Sequence, residues 1–300
     1  MDNKKLKSEN TKLVVAISSR ALFNLDQSHK IFKEKGIEAY AKHQQENEHV
    51  ILEPGVGFTL VKKLLKLNSK KTPIDVILLS RNSADTGLRI FNSIEHYDLN
   101  ISRAAFTRGE STHPFVGAFE ADLFLSSNYN DVQKALQSGY AAASIVESKS
   151  NNSHPSQLRI AFDGDAVIFS DESERIFQEK GLEAFHENEI LSEKIELKAG
   201  PFKSFLVSLQ KIQSTFPEED NPIRTALVTA RSAPSHRRVI HTMRKWGIRI
   251  DESFFLGGLE KGVFLRQFAA DIFFDDQQQH CESASQYVPT GHVPSGIKNS

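Results

Sequence analysis

The sequence has a single cysteine, Cys281, so no disulfide can form within the chain. It has no run near the roughly 18 consecutive apolar residues of a membrane span, and its polar start, MDNKKLKSENTK, leads into no signal-peptide stretch. Neither charge sign dominates, because 37 lysines and arginines face 38 aspartates and glutamates. These absences argue against secreted proteins, membrane proteins and proteins that bind nucleic acid polymers through net charge. They predict a cytoplasmic location.

An internal repeat is the most informative feature present. Residues 16–40 (AISSRALFNLDQSHKIFKEKGIEAY) align without gaps on residues 161–185 (AFDGDAVIFSDESERIFQEKGLEAF). The similarity resumes later, where the Ala-Asp pair at 121–122 falls on the Ala-Asp pair at 270–271. A repeat of this length predicts a tandem duplication.

Each copy alternates apolar, β-rich runs with segments of helical periodicity, on either side of a polar linker near residues 148–157. The alternation predicts an α/β protein with a Rossmann-like parallel sheet and helices on both faces of each half. The predicted domains are residues 1–150 and 151–300. In the second copy the predicted strands are 158–162, 224–230, 252–258 and 270–276.

Polar side chains gather at the carboxyl ends of the second-copy strands, where ligands bind in such sheets. A carboxylate there can attack phosphorus, and a second one nearby can move the proton of the leaving group. Clustered carboxylates require a cation, for which Mg²⁺ is suited, while hydroxyl and ammonium groups can donate to phosphoryl oxygens. Taken singly, each of these residues is more typical of a turn, a strand terminus or a solvated surface. Together they indicate phosphotransfer, and they are Asp163, Asp165, Thr229, Lys261, Asp275 and Asp276.

Four segments, FDGDAVIFSDESE, LVTARSAP, FLGGLEKG and IFFDDQ, resemble the motifs of the haloacid dehalogenase-like (HAD-like) phosphohydrolases. With SSRALF and LLSRNSADTGLRIFNSIEHY of the first copy, they resemble more closely the cytosolic 5′-nucleotidase I family and its bacterial members. The resemblance implies two HAD-like halves, the second with a small helical cap around residues 172–200. It also implies hydrolysis of AMP and deoxynucleoside monophosphates.

The resemblance further implies a role for each second-copy residue. Asp163 would be the nucleophile, Asp165 the general acid and base, and Thr229 and Lys261 the phosphate binders. Mg²⁺ would be held by Asp163, the Asp165 backbone carbonyl and one of Asp275 or Asp276, with the choice between the last two open. Arg231, two residues after Thr229, is predicted as a further phosphate contact. Phe177 in the cap could stack on a base or ribose, but its helical spacing with Ile176 and Leu182 favours packing in a core.

The first copy has lost every one of these carboxylates. Ser18 stands where the second copy has Asp163, Arg20 where it has Asp165, Ser80 where it has Thr229, and serines replace Asp275 and Asp276. This copy is therefore predicted to be inactive. Its polar strand ends suit a phosphorylated ligand, because guanidinium groups bind phosphate bidentately. We expect either a nucleotide effector site, a part of the substrate pocket or a plain scaffold, and the residues concerned are Ser18, Arg20, Ser80, Arg81, Asn82 and Arg108.

Three functions therefore compete. The first is a Mg²⁺-dependent 5′-nucleotidase, the second a HAD-type phosphatase for a sugar phosphate or another small phosphoester, and the third a nucleotide-sensing protein without activity. The expected partners are a nucleoside monophosphate substrate, a nucleotide activator such as ADP or ATP, and a second copy of the chain in a homo-oligomer. Neither a nucleic acid polymer nor a membrane is expected.

Overall fold

The structure is a computed structural model that describes residues 12–69, 72–146, 148 and 154–299. Half of the predicted linker, residues 149–153, lies outside the described residues. Ten strands form one sheet. They are β1 (Leu13–Ser18), β2 (Ile74–Ser80), β3 (Arg103–Phe106), β4 (Leu123–Ser126), β5 (Ala142–Val146), β6 (Leu158–Phe162), β7 (Ile223–Thr229), β8 (Glu252–Phe255), β9 (Ile272–Asp275) and β10 (Thr290–His292).

Helices connect these strands in both halves of the chain. They are α1 (Ser19–Leu22), α2 (Asp26–Glu46), α3 (Phe58–Lys66), α4 (Leu88–His96), α5 (His113–Ala118), α6 (Tyr129–Gln137), α7 (Glu172–Leu191), α8 (Lys203–Gln213), α9 (His236–Trp246), α10 (Gly262–Phe268) and α11 (Gln278–Ala284). Within the described residues, no helix combines the length and the apolar character needed to cross a membrane.

The strand order is the same in the two halves. It runs β3-β2-β1-β4-β5 in the first half (residues 12–146) and β8-β7-β6-β9-β10 in the second half (residues 154–299), and all neighbours within a half are parallel. An antiparallel pairing of β5 with β10 joins the halves into one sheet. The α/β class and the second-copy strands that the sequence predicts are thus confirmed, whereas nothing in the sequence pattern indicated the shared sheet.

The register of the central strands brings the two sets of strand ends to one level. Ser126, at the end of β4, pairs with Ser144, which pairs across the junction with His292, and His292 pairs with Asp275 at the end of β9. Neighbouring strands are about 4.8 Å apart, so Ser126 and Asp275 are separated by about 14 Å across the sheet. The polar strand ends of the two halves therefore lie near each other.

Burial explains the local composition of the strands. The central strands β1, β2, β6 and β7 read as almost continuous apolar runs because helices cover both faces of the sheet. Helix α9 ends before Gly247, which takes the left-handed conformation with φ 64°. Both long helices, α2 and α7, are broken by a glycine at the same relative position, Gly36 with φ 82° and Gly181 with φ 81°. These backbone angles favour glycine and divide each helix into two arms.

A matched pair of aspartates, Asp271 and Asp122, takes part in the polar contacts between the halves. Lys63 of α3 donates from Nζ to both carboxylate oxygens of Asp271, at 2.6 and 2.8 Å. From the second half to the first, Ser208 of α8 donates to Oδ1 of Asp122 at 2.8 Å. Each aspartate thus receives a donor from a helix of the other half.

The structure contradicts the prediction that Phe177 packs in a core. Its side chain is 42% exposed, whereas Phe185, with a ring centroid 6.4 Å away, is buried. Helical spacing alone predicted the core because it cannot tell which face of a helix has a neighbour.

Candidate active site

Asp163 and Asp165 are presented by a tight turn that follows β6. The turn spans Gly164–Ile168 and is closed by the N–H of Phe169, which donates to the carbonyl of Gly164 at 2.9 Å. Ala166 takes a positive φ of 59° within it, a conformation that costs about 1–3 kcal/mol for a residue with a side chain. A Cβ on Gly164 would lie 3.3 Å from the hydroxyl oxygen of Thr229, so the glycine allows the turn to approach the end of β7 closely.

Three carboxylates converge beside this turn. Oxygens of Asp163, Asp275 and Asp276 lie within 4.8 Å of one another, and all three residues are buried. Asp163 and Asp275 come from the ends of the adjacent strands β6 and β9. The parallel pairing that the sequence predicted is what brings them together.

Lys261 binds two of these carboxylates. Its Nζ donates to Oδ1 of Asp163 at 2.7 Å and to Oδ2 of Asp275 at 2.6 Å. Burial alone would lower the pKa of the lysine, but the two carboxylates raise it above its ordinary value. The ammonium is therefore fixed between the two carboxylates.

One ammonium does not compensate three buried carboxylates, and the pKa values reflect the remaining charge. Burial, with a further contribution from Asp275, raises the pKa of Asp163 to about 6 despite Lys261. Burial and the two neighbouring aspartates raise the pKa of Asp276 to about 9. Burial opposes ionisation of Asp275 as well, but Lys261 and His280 lower its pKa to about 2. Ionisation of all three carboxylates together therefore requires positive charge in addition to that of Lys261.

The donor set fits a divalent cation. Carboxylate oxygens are the ligands that Mg²⁺ prefers, and three carboxylates facing one ammonium leave two negative charges for such an ion to balance. The side chain of Asp165 is not part of this cluster. A ligand from that residue would be its backbone carbonyl, as the family resemblance implies.

Arg231 lies against Asp165. Its Nε and Nη2 donate to the two carboxylate oxygens of Asp165 at 2.8 and 2.7 Å, and its Nη1 donates to Glu189 at 2.5 Å. The two carboxylates raise the pKa of the guanidinium although burial opposes this. The phosphate contact predicted for Arg231 stays a prediction, and in this structure the side chain holds Asp165 in a bidentate ion pair.

Comparison with known proteins decides the family. The model of the family described as 5′-nucleotidase matches residues 5–300. The chain belongs to the 5′-nucleotidase family. Cytosolic 5′-nucleotidase 1B of Homo sapiens is 40% identical over an alignment of 288 residues, which covers 91% of this chain and 47% of that protein. The chain thus spans about half the length of this curated relative, and no solved structure matches it. The family resemblance read from the motifs is confirmed.

Glu189 is a residue of this 5′-nucleotidase family member that the sequence did not reveal. It lies in the second arm of α7, its side chain is fully buried, and it also accepts hydrogen bonds from Arg238 and Ser173, each at 2.9 Å. Through Arg231 it connects α7 to Asp165. The segment HENEIL gave no signal, because a glutamate in a polar helix is ordinarily solvated.

The C-terminal segment supports the acidic cluster and was also missed. Nε2 of His292 and Nδ2 of Asn299 lie 2.9 and 2.8 Å from the backbone carbonyl of Asp276. Gly296 packs against the turn, since a Cβ there would come within 2.7 Å of the Cβ of Ala166. These contacts fix the backbone that carries Asp276.

The predicted first-half residues gather around a cavity of about 900 Å³. Helix α2 covers it, as α7 covers the strand ends of the second half. Ser80 is the exception: it is buried beneath the cavity, where its hydroxyl lies 3.0 Å from that of Ser19. The predicted residues that do line the cavity are Ser18, Arg20, Arg81, Asn82 and Arg108.

Proposed function

We propose that this chain hydrolyses nucleoside 5′-monophosphates, AMP and deoxynucleoside monophosphates among them, through an aspartyl-phosphate and with Mg²⁺ as cofactor. The observation that carries the proposal is the convergence of Asp163, Asp275, Asp276 and Lys261 in a member of the 5′-nucleotidase family. The substrate class comes from the family description and from the curated relative, whose name specifies a cytosolic 5′-nucleotidase. By the same likeness we propose a cytoplasmic location.

Each residue has one task in the proposed reaction. Asp163 attacks phosphorus, the bond to the ester oxygen breaks, and Asp165 gives its proton to the departing nucleoside. Water then attacks the aspartyl-phosphate, Asp165 takes up a proton from it, and phosphate leaves. Thr229 and Lys261 donate hydrogen bonds to the phosphoryl oxygens, where negative charge is concentrated.

Asp163, Asp275, Asp276 and the Asp165 carbonyl would hold Mg²⁺. The ion, when bound, offsets the repulsion between the carboxylates and the anionic substrate and polarises the phosphoryl group. The raised pKa of Asp276 supports the assignment, because burial beside two other aspartates makes its ionised form costly without a cation.

We also interpret the two halves as copies of one ancestral unit, with α7 as the cap of the second. The identical strand order supports this, as do the matched breaks at Gly36 and Gly181. Polar contacts repeat too: Ser28 donates to Gln44 at 3.0 Å as Ser173 donates to Glu189 at 2.9 Å. The predicted domains, residues 1–150 and 151–300, would be these copies, and a homo-oligomer stays a prediction.

A phosphate-release panel tests the proposal. Purified full-length chain is given AMP, deoxynucleoside monophosphates and sugar phosphates, each with Mg²⁺ and with a chelator. We expect release from the nucleotides, no release after chelation, and recovery when Mg²⁺ is restored. Faster release from sugar phosphates would identify a phosphatase of different specificity, and no release from any ester would indicate a sensing protein.

A further inference from the structure

The first half holds a built cavity at the position that the active site occupies in the second half. It lies over the ends of β1, β2 and β4 and beneath α2, and its volume of about 900 Å³ falls within the range of small-molecule sites. Serines at its floor, Ser18, Ser126 and Ser127, replace the carboxylates that the second half would use to attack phosphorus and bind a cation. An anion entering this cavity meets no acidic cluster.

Two guanidinium groups at the cavity floor are available to an anion. Arg108 lines the cavity with a positive φ of 49°, and its side chain has no ion-pair partner among the described residues. Among the described residues, the guanidinium of Arg20 makes one ion pair, a 3.3 Å contact with Asp26 in which both side chains are exposed. Such a contact contributes little and is readily exchanged for a phosphate.

The buried carboxylate of the cavity, Asp131, is already neutralised. Arg81 donates to its two oxygens at 2.9 and 2.7 Å, and Ser111 donates to it as well. Burial would raise the pKa of Asp131, but these donors lower it below its ordinary value. Asp131 therefore does not compete for Arg20 or Arg108. Of the other carboxylates that line the cavity, Asp85 accepts a hydrogen bond from Gln45 at 2.7 Å, and Glu38 makes no ion pair with either arginine among the described residues.

The roof of the cavity has different chemistry. Phe32 is 45% exposed and stands edge-on to Tyr40, at a centroid distance of 6.1 Å. Ile37, from the other arm of α2, is 59% exposed and also lines the cavity. An aromatic ring at one end and guanidinium groups at the other match the two ends of a nucleotide, its base and its phosphate.

From these features we propose that the first-half cavity binds a nucleoside phosphate and does not hydrolyse it. Arg20 and Arg108 receive the phosphate, and Phe32 packs against the base. The register across β4, β5, β10 and β9 places Ser126, the floor residue nearest the second half, about 14 Å from Asp275 of the acidic cluster. The ring of Tyr129, which follows the floor residues in the chain, stacks on the ring of His292 with a centroid distance of 6.2 Å. His292 in turn contacts the backbone carbonyl of Asp276.

Binding measurements separate this site from the catalytic one. The full chain with Asp163→Asn, which removes turnover, is titrated calorimetrically with AMP and with inorganic phosphate, alone and combined with Arg20→Ala/Arg108→Ala. We expect the double change to weaken one AMP-binding event by at least about 30-fold, since each arginine contributes charge-assisted hydrogen bonds. Lys30→Ala, an exposed cation on α2 outside the cavity, is the matched control and leaves binding unchanged.

The Phe32→Ala variant tests the nucleoside part. Loss of base stacking weakens AMP binding at this site by about 10-fold and leaves binding of inorganic phosphate within about twofold, while Phe115→Ala changes neither. If Arg20→Ala/Arg108→Ala leaves the affinity for AMP unchanged, the proposed site is wrong. If Phe32→Ala leaves the affinity for AMP unchanged, the cavity does not recognise the nucleoside part of the ligand. Because the readout is binding, the result stands apart from whether the second half hydrolyses AMP.

Discussion

The two halves of the sheet share a scaffold and differ in charge at their strand ends. Arg89 donates from Nε to the carbonyl of Val50 at 2.8 Å in the first half, and Arg238 donates to that of Ile195 at 2.9 Å in the second. Such backbone contacts are the same because both halves must hold a helix against the same strand order.

Around these shared contacts the second half has a chain of charges that pair with one another, whereas two of the three matched residues in the first half are neutral. Asp165, Arg231 and Glu189 form two ion pairs. The matched residues are Arg20, Asn82 and Gln44, where Asn82 accepts a hydrogen bond from Tyr40 at 2.6 Å. The same arrangement of strands and helices therefore accommodates either set of three side chains. We infer that the difference in function between the halves depends on a few side chains at the strand ends. Matched substitutions in the two halves test this.

The largest expected effect is at the nucleophile. Asp163→Asn keeps the size of the side chain but removes the attacking carboxylate, so we expect kcat to fall by about 10⁴-fold or more. The matched change in the first half, Ser18→Ala, should leave kcat within about twofold. Phosphate release from AMP measures both, and Mg²⁺-dependent turnover by Asp163→Asn would contradict the mechanism.

The second-largest effect is expected for Glu189→Gln. This change gives the second half a glutamine at the position that Gln44 occupies in the first half. The change removes one of the two carboxylates that hold Arg231, so the guanidinium that pairs with Asp165 is held less firmly. We expect kcat to fall by about 100-fold with a smaller change in KM, within the range of proton-transfer effects.

The control is Gln44→Glu in the first half, which should leave kcat unchanged. In the unsubstituted chain Nη1 of Arg89 donates to the neutral Gln44 at 3.2 Å, so the change gives this arginine an anionic partner. Equal changes in kcat and in thermal stability for Glu189→Gln and for a mere packing variant such as Val239→Ala would assign Glu189 to the scaffold alone.

The smallest expected effects are at the junction of the halves. Lys63→Met removes a cation that contacts Asp271 and the carbonyls of His154 and Gln157. It should lower the free energy of unfolding by about 3 kcal/mol, because a buried carboxylate loses its cation. Ser208→Ala, the matched change in the second half, removes a single hydrogen bond and should lower it by about 1 kcal/mol. Urea denaturation measures both, and a larger loss for Ser208→Ala would reverse this ranking.

The sequence predicted those parts of the molecule that follow from local pattern. Strands such as β6 and β7 are apolar runs followed by polar residues, so their ends, and with them Asp163 and Thr229, could be located. The pairing of β5 with β10 could not, since β10 has only three residues and its partner lies in the other half.

The contacts between side chains could not be predicted from the sequence either. The sequence shows that Arg231 follows a strand, but only packing shows that α7 brings Glu189 to it. Phe177 was predicted to be buried from its spacing, yet no neighbour covers that face within the described residues. Charges and rings on the long helices thus required the structure.

The central claim is that the second half alone carries out the chemistry, with Asp163 as the site of phosphoryl transfer. The most direct test is mass spectrometry of protein quenched in acid during turnover of AMP with Mg²⁺, followed by mapping of the phosphoryl group to a peptide. We predict an acid-trapped phosphoryl group on Asp163, and none on the first half. A phosphoryl group on any other residue, or turnover with no phosphorylated peptide under conditions that trap aspartyl-phosphates, would contradict the mechanism.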